Sequence, residues 1–408
     1  MDDILKLLPP MLFGEELEEA LKILPPYDES IRMQDATTRL LALPTIYQMY
    51  YPTQMSKEIY SKLYLALVRS LEKKQKISMT QQYYKNLEMV RGKEFSGTVS
   101  YGDSFSVLGE SGAGKTSAVS RAVNVIGGDR VIELNNPYRK VIPCLIVQTP
   151  HDSSVKGLLI EILRKIDEHL ETQYYLQAIR YHSTVDMLIG AVSQSLLTHT
   201  QILVLEEFQH LLNNYHNAQR LIGALVQLIN NSHVTICMVG MSVCTEFFKK
   251  EQHLARRALG VQCHAMKYGE EFYGFCETLF RYQYVRNVSN IDEAIVHWLY
   301  DHSNGNPSVV VSLITMAQEN SILDGTEVLN IHSLNEAYKK MDLLHGFIKT
   351  EKAPKTAVSK QDRLKLPQSS SGITQESTLT MIIAEAKAQG VDAVSVLRGH
   401  VNVEEVRI

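Results

Sequence analysis

A chain of 408 residues is longer than one ordinary core can organise, so two or three domains are expected. Hydrophobic residues make up 45% and charged residues 21%, which excludes a wholly disordered or fibrous protein. The net charge of −4 argues against a surface coated in basic residues for indiscriminate polyanion binding, yet leaves room for a local basic strip. Five cysteines (Cys144, Cys237, Cys244, Cys263, Cys276) form no C-x-x-C pair, so buried reduced thiols are expected instead of disulfides or zinc. The acidic start and Pro9-Pro10 fit no secretory signal, and no apolar run reaches the ~20 residues of a membrane span. A cytoplasmic location without membrane contact is the expectation.

Residues 1–95 read as a helical N-terminal region. The first 31 hold eight acidic and two basic side chains, punctuated by Pro9-Pro10 and Pro25-Pro26. Such an arm is either a docking element or a solvated end. Further on, Ile59, Leu63, Leu67 and Leu71 recur at i+4 after a candidate N-cap at Ser56. The run Lys73-Lys74-Gln75-Lys76 is expected to be a solvated helix end that complements the dipole.

Residues 96–265 change to short β-branched runs alternating with helical stretches, which implies an α/β domain with a parallel sheet covered by helices. Candidate strands are 105–108, 142–147, 202–205 and 234–239. Between the first strand and a helix over 117–124 stands Gly109-Glu110-Ser111-Gly112-Ala113-Gly114-Lys115-Thr116, which meets every fixed position of the phosphate-binding loop G-x-x-x-x-G-K-[ST]. The glycines let backbone N–H groups turn toward a polyphosphate at a helix N-terminus. Lys115 is expected to reach the β- and γ-phosphates of ATP, Thr116 to ligate Mg²⁺, and Ser117 to complete the cradle.

An ATPase also needs a second, acid-ended strand beside the loop-bearing one. Gln201-Ile202-Leu203-Val204-Leu205-Glu206-Glu207-Phe208 supplies it, with Glu206 as the candidate Mg²⁺ ligand and Glu207 as the candidate catalytic carboxylate. Glu206 stands where Asp is usual. After the next strand, Ser242 is a candidate sensor of the γ-phosphate, with Met241 where a Thr would be more expected. Of Arg256 and Arg257, one is either an arginine finger offered to a neighbouring subunit or a plain surface charge.

Residues 266–348 lose the strand signal and carry four helical patterns, the third opening at Asn306-Pro307 with Asn as N-cap and Pro at the first helical position. This is a small helical domain. Residues 349–408 form a tail whose first part, 349–367, has six basic and two acidic side chains. It is expected to be a flexible linker, and 378–388 a short amphipathic helix for a partner or a frayed end.

In this order, Gly109 to Thr116, Leu205 to Leu211, Val239-Gly240, Arg257 and Gly305-Asn306-Pro307 resemble an AAA+ ATPase of the TnsC/TniB transposition-regulator group over roughly residues 100–345. Gln209 and the segment Gln148 to Leu158 strengthen the resemblance. It implies a P-loop AAA+ domain with a small helical lid, subunits that polymerise as a ring or helical filament on double-stranded DNA, and disassembly after ATP hydrolysis. It also implies a target-selection partner of the TniQ/TnsD type at the N-terminal region and a transposase at the C-terminal tail. In that group the segment after the second strand touches the DNA backbone. Here Lys156, Ser153 and Ser154, with Arg139 and Lys140, offer cations and donors for phosphates without base reading, or simply a solvated surface. Two other readings stand beside this one: a replication-initiator-like or signalling ATPase, and a nucleotide-gated scaffold with little turnover.

Overall fold

In a computed structural model, residues 8–76, 104–135, 138–152, 154–212, 215–245, 248 and 260–341 are described. They lie within one compact unit that ends at Glu351; the tail beyond it lies outside the described residues, as does its expected helix over 378–388.

The α/β region is built on a six-stranded sheet. Its strands are β1 (Phe105–Gly109), β2 (Ile132–Asn135), β3 (Tyr138–Gln148), β4 (Thr200–Glu206), β5 (Thr235–Met241) and β6 (Val261–Cys263), in the order β2-β3-β4-β5-β1-β6. All four expected strands are present and run parallel to one another. Two short strands were not legible. β6 adds a parallel edge beside β1, and β2 pairs antiparallel with the first residues of β3, so the sheet is mixed although mostly parallel. The expectation that the acid-ended strand lies beside the loop-bearing strand is corrected: β5 runs between β1 and β4.

Strands that are apolar on both faces need a helical layer on each. One face is covered by α5 (Val155–Leu170), α7 (Val185–His199) and α8 (Tyr215–Ser232), where Ile162, Leu196 and Leu225 pack against Leu203, Leu205 and Met238. The other face is covered by α1 (Gly14–Leu21), α3 (Gln54–Lys76) and α4 (Lys115–Ile126), with Leu21, Leu63 and Val119 against Val107, Val204 and Val239. Successive β4 residues thus alternate between the two layers, as pleating requires. All five cysteines are buried and free.

Among its described residues the N-terminal region therefore forms no core of its own. Its helices α1 and α3 complete the second layer of the sheet, whereas the segment between them, including α2 (Ala36–Ala42), joins the lid. The lid comprises α9 (Glu270–Phe280), α10 (Glu293–Ser303), α11 (Pro307–Leu323) and α12 (Ile331–Lys340), and its core takes in Leu43 and Ile46. Buried Arg39 of α2 fastens this segment by an ion pair with Glu327. Where the chain crosses from sheet to lid and back, Ile23 and Tyr50 pair as a two-residue antiparallel bridge.

Two local expectations on α3 are also corrected. The helix starts at Gln54, and Thr53 and Ser56 cap it reciprocally, Ser56 accepting from the Thr53 N–H at 3.1 Å, so Ser56 lies inside the first turn. Lys74 is buried at 3% exposure, its ammonium donating to the carbonyl oxygens of Leu196, at 2.8 Å, and Thr200. Burial, with Arg139 nearby, pushes its pKa well below the ordinary lysine value. Charge alone made this run look solvated; the end of α7 offers carbonyls that accept from the buried Lys74.

Candidate nucleotide site

The loop from Gly109 to Thr116 joins β1 to α4. Gly112 and Gly114 take left-handed φ values of 77° and 83°, which the two turns of the loop require. Gly109 is needed for another reason: a Cβ there would lie 1.9 Å from the carbonyl oxygen of Cys263 on β6. Lys115 is half-buried and donates to the carbonyls of Gly109, at 3.1 Å, and Glu110, at 2.5 Å. Burial lowers its pKa. Thr116 and Ser117 are exposed at the start of α4.

Around the loop are two cavities. One, of about 300 Å³, is lined by Ser111, Lys115, Thr116, Glu207, Gln209 and Met241. The other, of about 250 Å³, is lined by Ile46, Tyr47, Tyr51, Met266, Phe275 and Val311, from the N-terminal segment and the lid. Both are also bounded by Gly112, Gly114, Ser117 and Ser308, so polar and apolar chambers meet across one loop. The residues at 46–55 that line the apolar chamber were missed by sequence reasoning. Only the tyrosines at 47, 50 and 51 could have hinted at them, and aromatic residues are commonly core.

Glu206 and Glu207 end β4 in opposite surroundings. Glu206 is 3% exposed; its Oε2 accepts from Nε2 of Gln148, and its Oε1 has no hydrogen-bond partner among the described residues. Burial raises its pKa, the Gln148 bond works the other way, and the neighbouring Glu207 raises it further. A buried, unpartnered carboxylate oxygen fits a divalent cation. Glu207 is exposed, adopts a left-handed φ of 54°, and accepts from Gln209.

Ser242 does not join this group. Its N–H donates to the Gly109 carbonyl at 3.2 Å, and it is not part of either cavity wall. The lid reaches the loop directly: Asn306 caps α11 and donates through Nδ2 to the carbonyl of Ser111 at 2.9 Å. Arg256 and Arg257 lie outside the described residues.

The candidate DNA residues are divided. Lys156 is exposed on the first turn of α5, and the Ser154 hydroxyl caps that helix by accepting from the Gly157 N–H at 3.0 Å. They border a groove of about 500 Å³ that also takes in Asp152, Asp186 and Arg220, the last unnoticed in the sequence. Ser153 lies outside the described residues. Arg139 and Lys140 stand at the opposite end of β3, roughly 25 Å of strand away, where Lys140 pairs with Glu133 at 4.0 Å. The structure therefore does not gather the expected cations into one patch. It does tie the Gln148–Asp152 segment to the turn that follows Glu207, because the rings of His151 and His210 stack with centroids 4.7 Å apart.

Among the described residues, no cluster of His, Cys, Asp and Glu resembles a separate metal centre, and no helix is long and apolar enough to cross a membrane. No curated protein matches the chain. Among solved structures it is similar to the Aeropyrum pernix Orc1 protein in complex with DNA (14% identity, 65% of each chain, TM-score 0.44). It is also similar to Cdc6p from Pyrobaculum aerophilum (11% identity, 64% of this chain and 66% of that one, TM-score 0.43). The chain thus spans just under two thirds of the length of each. Residues 99–267 match the family model described as Bacterial TniB protein. That match falls on the phosphate loop, the acid-ended strand and the sheet that carries them, so over these residues the chain is similar to the Bacterial TniB family.

Proposed function

We propose that the protein hydrolyses ATP to time its own assembly on duplex DNA during transposition. The observation that carries this reading is the facing of Lys115 and Thr116 by Glu207 across one cavity, under a lid whose Asn306 holds the loop. In this reading ATP seats its base in the apolar chamber and its phosphates along the Gly112–Thr116 backbone. Thr116 and Glu206 would hold Mg²⁺, which when bound neutralises charge on the transferring phosphoryl group. Glu207 orients the attacking water, and an arginine from Arg256 or Arg257 of the next subunit would complete the site. Hydrolysis then weakens the subunit contact and ends the assembly.

The same reading places the DNA backbone against Lys156 and its neighbours, a TniQ/TnsD-type target-selection protein at the N-terminal region, and a transposase at the tail. Repetition around a ring or filament multiplies a weak strip, so a chain of net negative charge can bind DNA cooperatively. Electron microscopy with duplex DNA and ATP or a non-hydrolysable analogue tests it. Nucleotide-dependent rings or filaments on DNA are expected, and monomers under every condition reject the proposal.

One observation favours a second reading, a nucleotide-gated scaffold with little turnover: Gln209 already occupies the carboxylate of Glu207. Phosphate release decides between them, since a scaffold shows none above the Glu207→Gln variant.

A further inference from the structure

Gln209 joins the ends of two strands. Its Oε1 accepts from the backbone N–H of Met241 at 3.1 Å, at the end of β5, and its Nε2 donates to Glu207 Oε2 at the end of β4. The first bond fixes which way round the amide lies. An N–H can be met only by the amide oxygen, so the NH₂ group must face Glu207. The seat is close, since a Cβ on Gly240 would come within 3.1 Å of Oε1. The same side chain lines the phosphate cavity with Lys115 and Thr116.

The end of β5 is where a polar side chain would reach from the sheet toward a terminal phosphate. Here Met241 is apolar, and Ser242 is absent from the cavity wall. We propose that Gln209 supplies this missing polar group: it is the positioning residue that faces the γ-phosphate and aims Glu207 at the attacking water. The inference rests on the ATPase reading above. The NH₂ group carries two protons, of which one serves the carboxylate and the other is left for a phosphate oxygen or the water. A donor on the carboxylate also fixes its direction. That hold matters because Glu207 sits at a φ of 54°, a conformation the loop imposes on a residue that seldom adopts it.

The test uses the full chain with duplex DNA, measuring phosphate release against ATP concentration and the affinity of a fluorescent ATP analogue. Gln209→Ala is expected to lower kcat by about 10–100-fold while KM and analogue affinity change less than about twofold. In a Glu207→Gln background it adds no further loss, because the two act as a unit. Gln209→Glu keeps the size and the bond to Met241 but replaces the NH₂ donor with an acceptor facing Glu207, so kcat falls at least as far as in Gln209→Ala. Ser242→Ala loses at least tenfold less activity than Gln209→Ala. Turnover that is lost in Glu207→Gln but retained in Gln209→Ala overturns this inference alone, as does a loss that falls on affinity and spares kcat. Absence of phosphate release from the wild type, with and without DNA, overturns the ATPase reading and this inference with it.

Discussion

Asn306 of the lid and Ser111 of the phosphate loop are joined by a side-chain hydrogen bond of 2.9 Å across 195 residues of sequence. Ser308 adds a backbone bond to the Gly112 carbonyl at 3.4 Å, so the first turn of α11 rests on the loop itself. The contact is made by an N-cap residue with a spare donor. Asn306→Ser keeps an oxygen for the cap but cannot reach Ser111. We expect ATP affinity to fall about 5–10-fold, the worth of roughly 1–1.4 kcal/mol, with the melting temperature nearly unchanged. Equilibrium titration with a fluorescent ATP analogue measures it, and unaltered affinity would show that the contact does not report on nucleotide.

The apolar chamber makes a separate prediction. Tyr47 is 59% exposed yet lines it, so its ring is available to a bound base without supporting the core. Tyr47→Ala should weaken ATP binding about 3–10-fold, in line with one lost aromatic contact of ~0.5–1.5 kcal/mol. Binding of inorganic triphosphate, which has no base, should be unaffected. Equal losses for both ligands would place Tyr47 outside the base site.

How far the sequence could foretell this site follows from what each residue depends on. The phosphate loop and the acid-ended strand were legible because their function is written in local spacing: glycines where φ is positive, an apolar run, then two acids. The four central strands were legible for the same reason, being buried on both faces. β2 and β6 were not, since strands of four and three residues carry too little periodicity. The place of β5 between β1 and β4 is a matter of topology, which spacing does not encode. Lys74 misled because charge signals a surface only when nothing inside can satisfy it, and here the Leu196 and Thr200 carbonyls do. Tyr47, Asn306 and Gln209 acquire their positions from the folding of distant segments onto one loop.

Glu206 gives the site a pH dependence with a definite sign. Burial raises its folded pKa above the unfolded value, so the stability it contributes is present at low pH and lost as pH rises through the folded pKa. At neutral pH without metal, the buried and unpartnered Oε1 is a cost. Glu206→Gln should therefore raise the apparent melting temperature by about 2–4 °C in chelator, the equivalent of ~1 kcal/mol in a domain of this size. Magnesium with ATP should stabilise the wild type more than the variant. Scanning calorimetry at neutral pH and near pH 5 checks both, because the gap between the two proteins should shrink as the carboxylate is protonated. A variant less stable than the wild type in chelator would show that Gln148 already compensates the charge.

Lys156 and Arg220 border one groove at the loop end of the sheet, whereas Lys140 lies at the far end of β3 and is engaged with Glu133. If duplex DNA passes the loop end, Lys156→Ala and Arg220→Ala should each weaken binding to all sequences alike. Each should also reduce the slope of log K against log salt by about 1 per subunit contact. Lys140→Ala should leave that slope closer to the wild-type value. Asp152 and Asp186 share the groove, so Asp186→Asn should strengthen binding at low salt and matter less as salt screens it. Fluorescence anisotropy with ATP analogue present, from about 50 to 200 mM salt, separates these outcomes. Identical slopes for wild type, Lys156→Ala and Arg220→Ala would remove DNA from this groove and direct attention to the Arg139–Lys140 end of β3.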